Sequence, residues 1–332
     1  MRIFITGCAG MIGTRLAEIC VKNGHQVVGC DNFFRGKRRH VEFLIGVGVG
    51  EQGSFEFHEI DLLQGLPTRL LIGVDVVIHL ADVVGGVKYV FEHELEVFNL
   101  NVIIDANVVR SVVKSGVSNY IYAATACSFP HFHQNSISSV IYEKDKFPAE
   151  PESAYGWSKL VGELQAIYLN RLESVECARV IFHNVYGRWC DFDLNTAQVI
   201  PALINKVSRL SYGEPLEVWG DGNQVRSFIN SQDIVESIIA MLESEKPLSC
   251  YDSIQLGDSV ATSIDDLARI IIEESDRGST VLTHNNPQLK GDIGRIPDLT
   301  LAQQMGLLPK ISLREGIRDL INWAREHGHV QS

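Results

Sequence analysis

The chain has 332 residues, of which 45% are hydrophobic and 21% charged, with 29 Lys and Arg against 41 Asp and Glu for a formal net charge of −12. Apolar material spread over that length builds a self-sufficient core and excludes a disordered chain, and the acidic balance argues against a nucleic-acid binder. Its 7 cysteines (Cys8, Cys20, Cys30, Cys127, Cys177, Cys190, Cys250) are odd in number and never spaced as C-x-x-C, which suggests neither a disulfide framework nor a structural zinc site and fits a reducing cytoplasm.

Met1-Arg2 runs directly into an apolar strand pattern rather than a targeting segment. The apolar stretch 70–80 is broken by Gly73, Asp75 and His79 and is too short for a bilayer, so a soluble protein with no membrane partner is expected. In chain order, strands are predicted at 2–6, 25–31, 55–61, 74–80 and 119–124, alternating with helices at 11–23, 92–115 and 153–173. Continuously apolar strands between helices predict a parallel sheet covered on both faces, a doubly wound α/β Rossmann fold. Beyond about Gly187 the elements are shorter, with glycines and prolines (Gly291 and Gly294 among them) between them. Helices are expected at 263–275 and 312–326, the second opening with Ser312 and Glu315 at capping-box spacing.

Gly7, Gly10 and Gly13 form G-x-x-G-x-x-G between the first strand and first helix. That pattern gives a tight turn, a close backbone approach to pyrophosphate, and a helix N-terminus, with Met11 and Ile12, facing the negative charge. Asp31 ends the second strand 18 residues after Gly13, where a carboxylate accepts from an adenosine ribose and repels a 2′-phosphate, so NAD is favoured over NADP. The cluster Arg35, Lys37, Arg38, Arg39 could instead receive a 2′-phosphate or form a solvated loop. Asn32 follows Asp31; Asp61 and Leu62 are expected at the adenine, and Leu80 and Ala81 at the nicotinamide ribose, all at carboxyl ends of strands. The expected division is an NAD-binding domain at 1–187 with a return segment near 226–257, and a smaller α+β substrate domain at 188–225 and 258–332.

Tyr155 and Lys159 form Y-x-x-x-K on one face of a helix, with Thr125 at a strand end about thirty residues upstream. Next to an oxidised nicotinamide, the ammonium is expected to stabilise tyrosinate and draw the phenol from about 10 towards neutrality, making it a base for a hydroxyl proton. A surface lysine on an ordinary helix is the plainer interpretation of this spacing.

Gly7/Gly10/Gly13, Asp31, Thr125, Tyr155 and Lys159 together resemble an extended short-chain dehydrogenase/reductase. Phe182-His183-Asn184, Trp219-Gly220-Asp221-Gly222, Val225-Arg226-Ser227-Phe228 and Gly291-Asp292-Ile293-Gly294-Arg295 are similar to its nucleotide-sugar epimerase and dehydratase branch. The resemblance implies that Asn184, Arg226 and Arg295 contact a substrate diphosphate, that NAD is the cofactor, and that the long helices 92–115 and 153–173 form a homodimer. Ala126-Cys127 after Thr125, Gly85-Gly86, and Ala149-Glu150-Pro151 look most like the GDP-mannose 3′,5′-epimerase family. That resemblance implies Cys127 as a base at carbon and Gly85 and Gly86 at the substrate; otherwise Cys127 is a small buried residue.

One departure stands out. The resembled family has a lysine acid after the Y-G motif, whereas 193–201 contains none before Lys206. His131, His133 and His183 are the candidates to replace it. The expected activity is NAD-dependent epimerisation of a nucleotide-diphosphate sugar through a 4-keto intermediate, with a 4-epimerase, a 4-dehydrogenase or a non-catalytic NAD sensor as alternatives.

Overall fold

The computed structural model describes residues 1–173, 175–211, 213–278, 280–285 and 292–331; Gly291 of the Gly291–Arg295 motif lies outside them. β1 (Arg2–Thr6) has Ile3, Phe4 and Ile5 in succession, all fully buried. Because side chains alternate along a strand, Ile3 and Ile5 join one core and Phe4 another, so the strand is covered on both faces. β2 (Gln26–Asp31), β3 (Ser54–Glu59), β4 (Val76–His79) and β5 (Asn119–Thr125) join it, with Glu176–Phe182 and Ile254–Leu256, in a seven-stranded sheet.

The order is Ile254–Leu256, Glu176–Phe182, β5, β4, β1, β2, β3, with every pairing parallel. The chain therefore moves outward from β1 to β3 and crosses back to β4 on the other side. The carboxyl ends of β1 and β4 flank this switch point, where open α/β sheets bind ligands. One face packs on Leu16, Ala17 and Val21 of α1 (Met11–Lys22) and on Ile234, Val235 and Ile238 of helix Ser231–Glu243. After α2 (Arg38–Val47) and α3 (Val87–Glu92), α4 (Glu94–Ser115) and α5 (Ala154–Glu173) cover the other face through Val97, Ile104, Val108, Ala166 and Leu169. Each such side chain contributes roughly 1.5–3 kcal/mol on leaving water.

The helix expected at 92–115 forms as the single helix α4 from Glu94 to Ser115; His93, at φ −124, separates it from the short α3 before it. The basic cluster read as a loop instead opens α2 with Arg38 and Arg39.

A second layer is built around Val225–Asn230, which pairs with Asn184–Tyr186, Ala261–Ser263 and Gly294–Pro297; the last also pairs with Val140–Ile141. Helices Val199–Arg209, Ile264–Glu274 and Leu313–Glu326 enclose its core of Ile200, Leu203, Leu267, Ile271, Ile317 and Leu320. The last helix carries the capping box its spacing predicts, with Ser312 N donating to Glu315 Oε2 at 3.2 Å and Glu315 N to Ser312 Oγ at 3.4 Å. Among the described residues, no helix is long and apolar enough to cross a membrane.

Candidate active site

The glycine turn brings β1 and β4 together. Gly7 has φ 69, and a Cβ there would lie 2.8 Å from Ala81 N, so both conformation and space require glycine. A Cβ at Gly13 would lie 2.2 Å from Gly7 O, so α1 rests directly on the turn. Gly10 supplies no capping side chain ahead of Met11, Ile12 and Gly13. First-turn N–H groups are thereby left to an anion.

Asp31 closes β2, where Oδ2 accepts from Ala9 N at 3.1 Å and Oδ1 from Phe33 N at 2.8 Å. Burial pushes its carboxyl up against these bonds. Asn32 Nδ2 donates to Asp61 Oδ1 at 3.4 Å, and the same oxygen accepts from Leu63 N at 3.0 Å above buried Leu62. Leu80 N and Ala81 N both donate to Thr6 Oγ1 at 3.1 Å. Thr6 Oγ1 lies 2.6 Å from His79 Nδ1, and His79 Nε2 lies 2.9 Å from Asp105 Oδ1, a buried chain that fixes the end of β4.

A glycine cradle, an open helix N-terminus and an acid at the end of β2 fit a dinucleotide with a free ribose hydroxyl. The basic cluster is engaged elsewhere, with Arg38 paired to Glu59 at 2.8 and 3.0 Å and Arg35 Nη2 reaching Thr196 O at 3.0 Å and Asp191 Oδ2 at 3.3 Å.

Thr125 ends β5, and its Oγ1 accepts from Cys127 N at 3.2 Å in the short 126–128 turn. Tyr155 and Lys159 lie on the first turns of α5. A Cβ at Gly156 would lie 2.2 Å from Cys127 O, so α5 meets this turn backbone to backbone. Tyr155 OH donates to Asp82 Oδ2 at 3.1 Å, and Lys159 Nζ lies 3.6 Å from the same oxygen.

Burial first, then Asp82 and Cys127, push Tyr155 well above its ordinary value, opposed by its hydrogen bond with Thr125. Sequence reasoning passed over Asp82. Its signal was that it is the sole charged residue in 80–87, immediately after the strand tail assigned to the cofactor.

Across the cleft, strand register places Arg226 beside Arg295. Burial, then the charge of Arg295, pushes Arg226 down to about 10. Burial works against Arg295 too, but Cys127, Asp292 and Glu152 hold its charge in place. Arg295 donates Nη1 to Cys127 Sγ at 3.0 Å, Nε to Gln134 and Nη2 to Asp292. The structure thus brings a residue assigned to the diphosphate onto the cysteine.

Asn184 Nδ2 donates to Ser227 O at 3.0 Å. Gly86 N donates to Thr196 O at 3.2 Å, and Cβ atoms at Gly85 and Gly86 would lie 2.8 Å from Tyr89 Cδ1 and 2.7 Å from Ala197 O. Segment 193–201, the one without a lysine, therefore lies against the Gly85-Gly86 turn. His183 is buried, and burial holds its imidazole down to about 3, so it carries no imidazolium proton at neutral pH. His131 is exposed, with Nδ1 3.2 Å from Glu150 O.

Beneath Cys127, buried Lys146 donates Nζ to Ser128 Oγ at 2.7 Å and to Glu163 Oε1 at 2.9 Å; Arg179 Nη1 lies 3.6 Å from Glu163 Oε2. Burial, against the attraction of Glu163, pushes the Lys146 ammonium down. Lys146→Met removes one partner of a buried ion pair and is expected to lower stability by about 3 kcal/mol. Urea unfolding of both proteins checks it, and an unchanged midpoint would show that Arg179 alone satisfies Glu163.

Fold and constellation together define a nicotinamide-dinucleotide enzyme on a doubly wound sheet. The profile of the NAD dependent epimerase/dehydratase family matches residues 3–257, and the chain belongs to that family. It is 29% identical over 328 residues to GDP-mannose 3,5-epimerase 1 of Oryza sativa subsp. japonica, spanning 98% of this chain and 82% of that protein. It is also 29% identical over 346 residues to UDP-N-acetyl-alpha-D-glucosaminuronate decarboxylase of Bacillus cytotoxicus, spanning 98% of each. The structure of UDP-glucose 4-epimerase from Thermotoga maritima with UDP-glucose superimposes with a TM-score of 0.83 at 23% identity, covering 98% of this chain and 99% of that one.

Proposed function

We propose that this enzyme epimerises a nucleotide-diphosphate sugar at a carbon beside a transient 4-ketone. The observation that carries this reading is Cys127: its N–H donates to the Thr125 hydroxyl, it bears electrostatically on the Tyr155 phenol, and Arg295 donates to its sulfur. A group able to act on oxygen and a group able to act on carbon thus share one pocket. NAD, when bound, would supply a reversible hydride acceptor for C4. Gly7, Gly10, Met11, Ile12, Gly13, Asp31, Asn32, Asp61, Leu62, Leu80 and Ala81 would hold it, with Tyr155 and Lys159 at its reactive end.

Thr125 orients the C4 hydroxyl, and Tyr155 takes its proton. The ketone so formed acidifies the adjacent C–H bonds, and Cys127 removes a proton at C3 or C5. Arg226 and Arg295, as planar forks, suit paired bonds to diphosphate, with Asn184, Gly85 and Gly86 completing the substrate side. The 188–225 and 258–332 segments form the substrate domain in this reading. Exposed Ile103 of α4 and Tyr168 and Leu172 of α5 support a homodimer through these helices.

A second reading, inversion at C4 or net oxidation to the ketone, is favoured by one observation. Segment 193–201 has no lysine and His183 is held neutral, so neither supplies an acid on the far face. A carbanion is most readily reprotonated by the acid that made it, which restores the starting configuration. Solvent deuterium is therefore expected to enter recovered substrate at C3 or C5 faster than epimer forms, as followed by mass spectrometry. Inversion keeping pace with exchange would reveal an acid on the far face, with His131 and His133 as the remaining histidine candidates. No exchange at either carbon would leave the second reading alone.

A further inference from the structure

Asp82 is built into the site. The next residue, Val83, donates its N–H to Asn101 Oδ1 at 2.6 Å and accepts from Asn101 Nδ2 at 3.1 Å. Asn101, fully buried on α4, also donates to Ser158 Oγ at 3.3 Å, one residue before Lys159. One asparagine thereby ties the strand tail bearing Asp82 to the helix bearing Tyr155 and Lys159. The Asp82 side chain is 17% exposed, and its Oδ2 meets both the phenol at 3.1 Å and the Lys159 ammonium at 3.6 Å.

The Tyr155 hydroxyl directs its proton at Asp82 Oδ2, so the phenol oxygen cannot accept another unless that proton has somewhere to go. We propose that Asp82 is that destination: as the C4 hydroxyl proton passes to Tyr155 Oη, the phenol proton passes to Asp82 Oδ2. This inference rests on the C4-oxidation step of the proposed function. The C4–H bond gives its electron pair as hydride to the nicotinamide dinucleotide, and the C4–O bond becomes a carbonyl. The protein is left with one proton more, on Asp82, and Tyr155 unchanged; returning the hydride reverses each transfer.

Asp82 acts through Tyr155, and the other groups facing the phenol are Thr125 at the end of β5, Cys127 just beyond it and Lys159 on its own helix. Lys159 keeps the carboxylate ready to accept by holding it against the phenol. Loss of the carboxylate removes a negative charge beside Tyr155, so the phenol should ionise at lower pH, yet the amide of asparagine cannot take its proton.

Asp82→Asn should therefore lower kcat/KM for C4 oxidation about a hundredfold at neutral pH. It should also move the acid-side limb of the pH profile upward, because only the preformed tyrosinate remains competent. Asp82→Glu should restore part of the rate. The phenol is followed separately by ultraviolet titration, with Tyr155→Phe subtracted because the chain has 9 tyrosines; Tyr155 should titrate at lower pH in Asp82→Asn. Thermal melts matching wild type establish that the variants fold. Neutral-pH turnover in Asp82→Asn equal to or above wild type would overturn the relay, as would a limb that does not move or an unshifted phenol. If no nucleotide sugar reduces bound NAD even in wild type, the proposed function fails, and the phenol titration alone decides whether Asp82 governs the Tyr155 proton.

Discussion

Tyr155→Phe should bind NAD and substrate but reduce the nicotinamide at a rate lower by about 10²–10⁴, the usual contribution of a positioned acid or base. The ring fills the same space, so the loss isolates the hydroxyl. Tyr155 is the junction of the site: its OH donates to Asp82, Cys127 bears on it electrostatically, and its neighbour Gly156 lies against the Cys127 carbonyl. Stopped-flow absorbance at the NADH band measures the step in one turnover. Undiminished reduction in the phenylalanine variant would remove Tyr155 from the chemistry and assign the hydroxyl proton to another group.

Cys127→Ala should divide the reaction instead of stopping it. Oxidation at C4 involves oxygen before any carbon proton is acidic, so NADH should still form at close to the wild-type rate. Exchange of the C3 or C5 hydrogen with solvent should fall by about 10²–10⁴. Arg295 loses its sulfur partner in this variant but keeps Gln134 and Asp292, so the diphosphate side stays in place. Deuterium incorporation measured beside NADH formation reads both steps in one sample. Equal exchange in the two proteins would make the cysteine structural and leave inversion or oxidation at C4.

These contrasts follow from features whose visibility in the sequence differed. Gly7, Gly10 and Gly13 were legible because a strand, a turn and a helix start all lie within about a dozen residues. Tyr155 and Lys159 were legible because four residues is one helical turn. The buried strands β1, β2, β4 and β5 stood out as apolar runs, whereas β3, with no buried residue, offered only the alternation of Phe55 and Phe57. Val140–Ile141 and Asn184–Tyr186 were not legible, since two or three residues carry no periodicity and pair only with strands distant in sequence. Asp82 was invisible as a partner of Tyr155 because the two meet only when β4 and α5 dock. The upward push on the Tyr155 phenol was hidden for the same reason: a motif locates Lys159 but not the carboxylate in contact with its charge. Likewise, sequence places Lys146, Glu163 and Arg179 in separate segments, and only the packed core unites them beneath Ser128.

The pairing of Arg226 with Arg295 also bears on the order in which the protein assembles. The dinucleotide cradle is made from successive strand-helix-strand units between β1 and α5, whose contacts close over short loops of chain. The arginine pair joins strands separated by two α-helices and by the strands Ile254–Leu256, Ala261–Ser263 and Leu282–Asn285, and Gly294–Pro297 must also find Val140–Ile141 before that sheet is complete. Closing such distant contacts costs more chain entropy and is slower than forming local ones. During synthesis the amino-terminal crossovers emerge first, so the cradle has its full sequence while Arg295 is still untranslated. The order of assembly is cofactor half first, anion half last, and late damage to the chain strikes substrate capture before it strikes the dinucleotide fold.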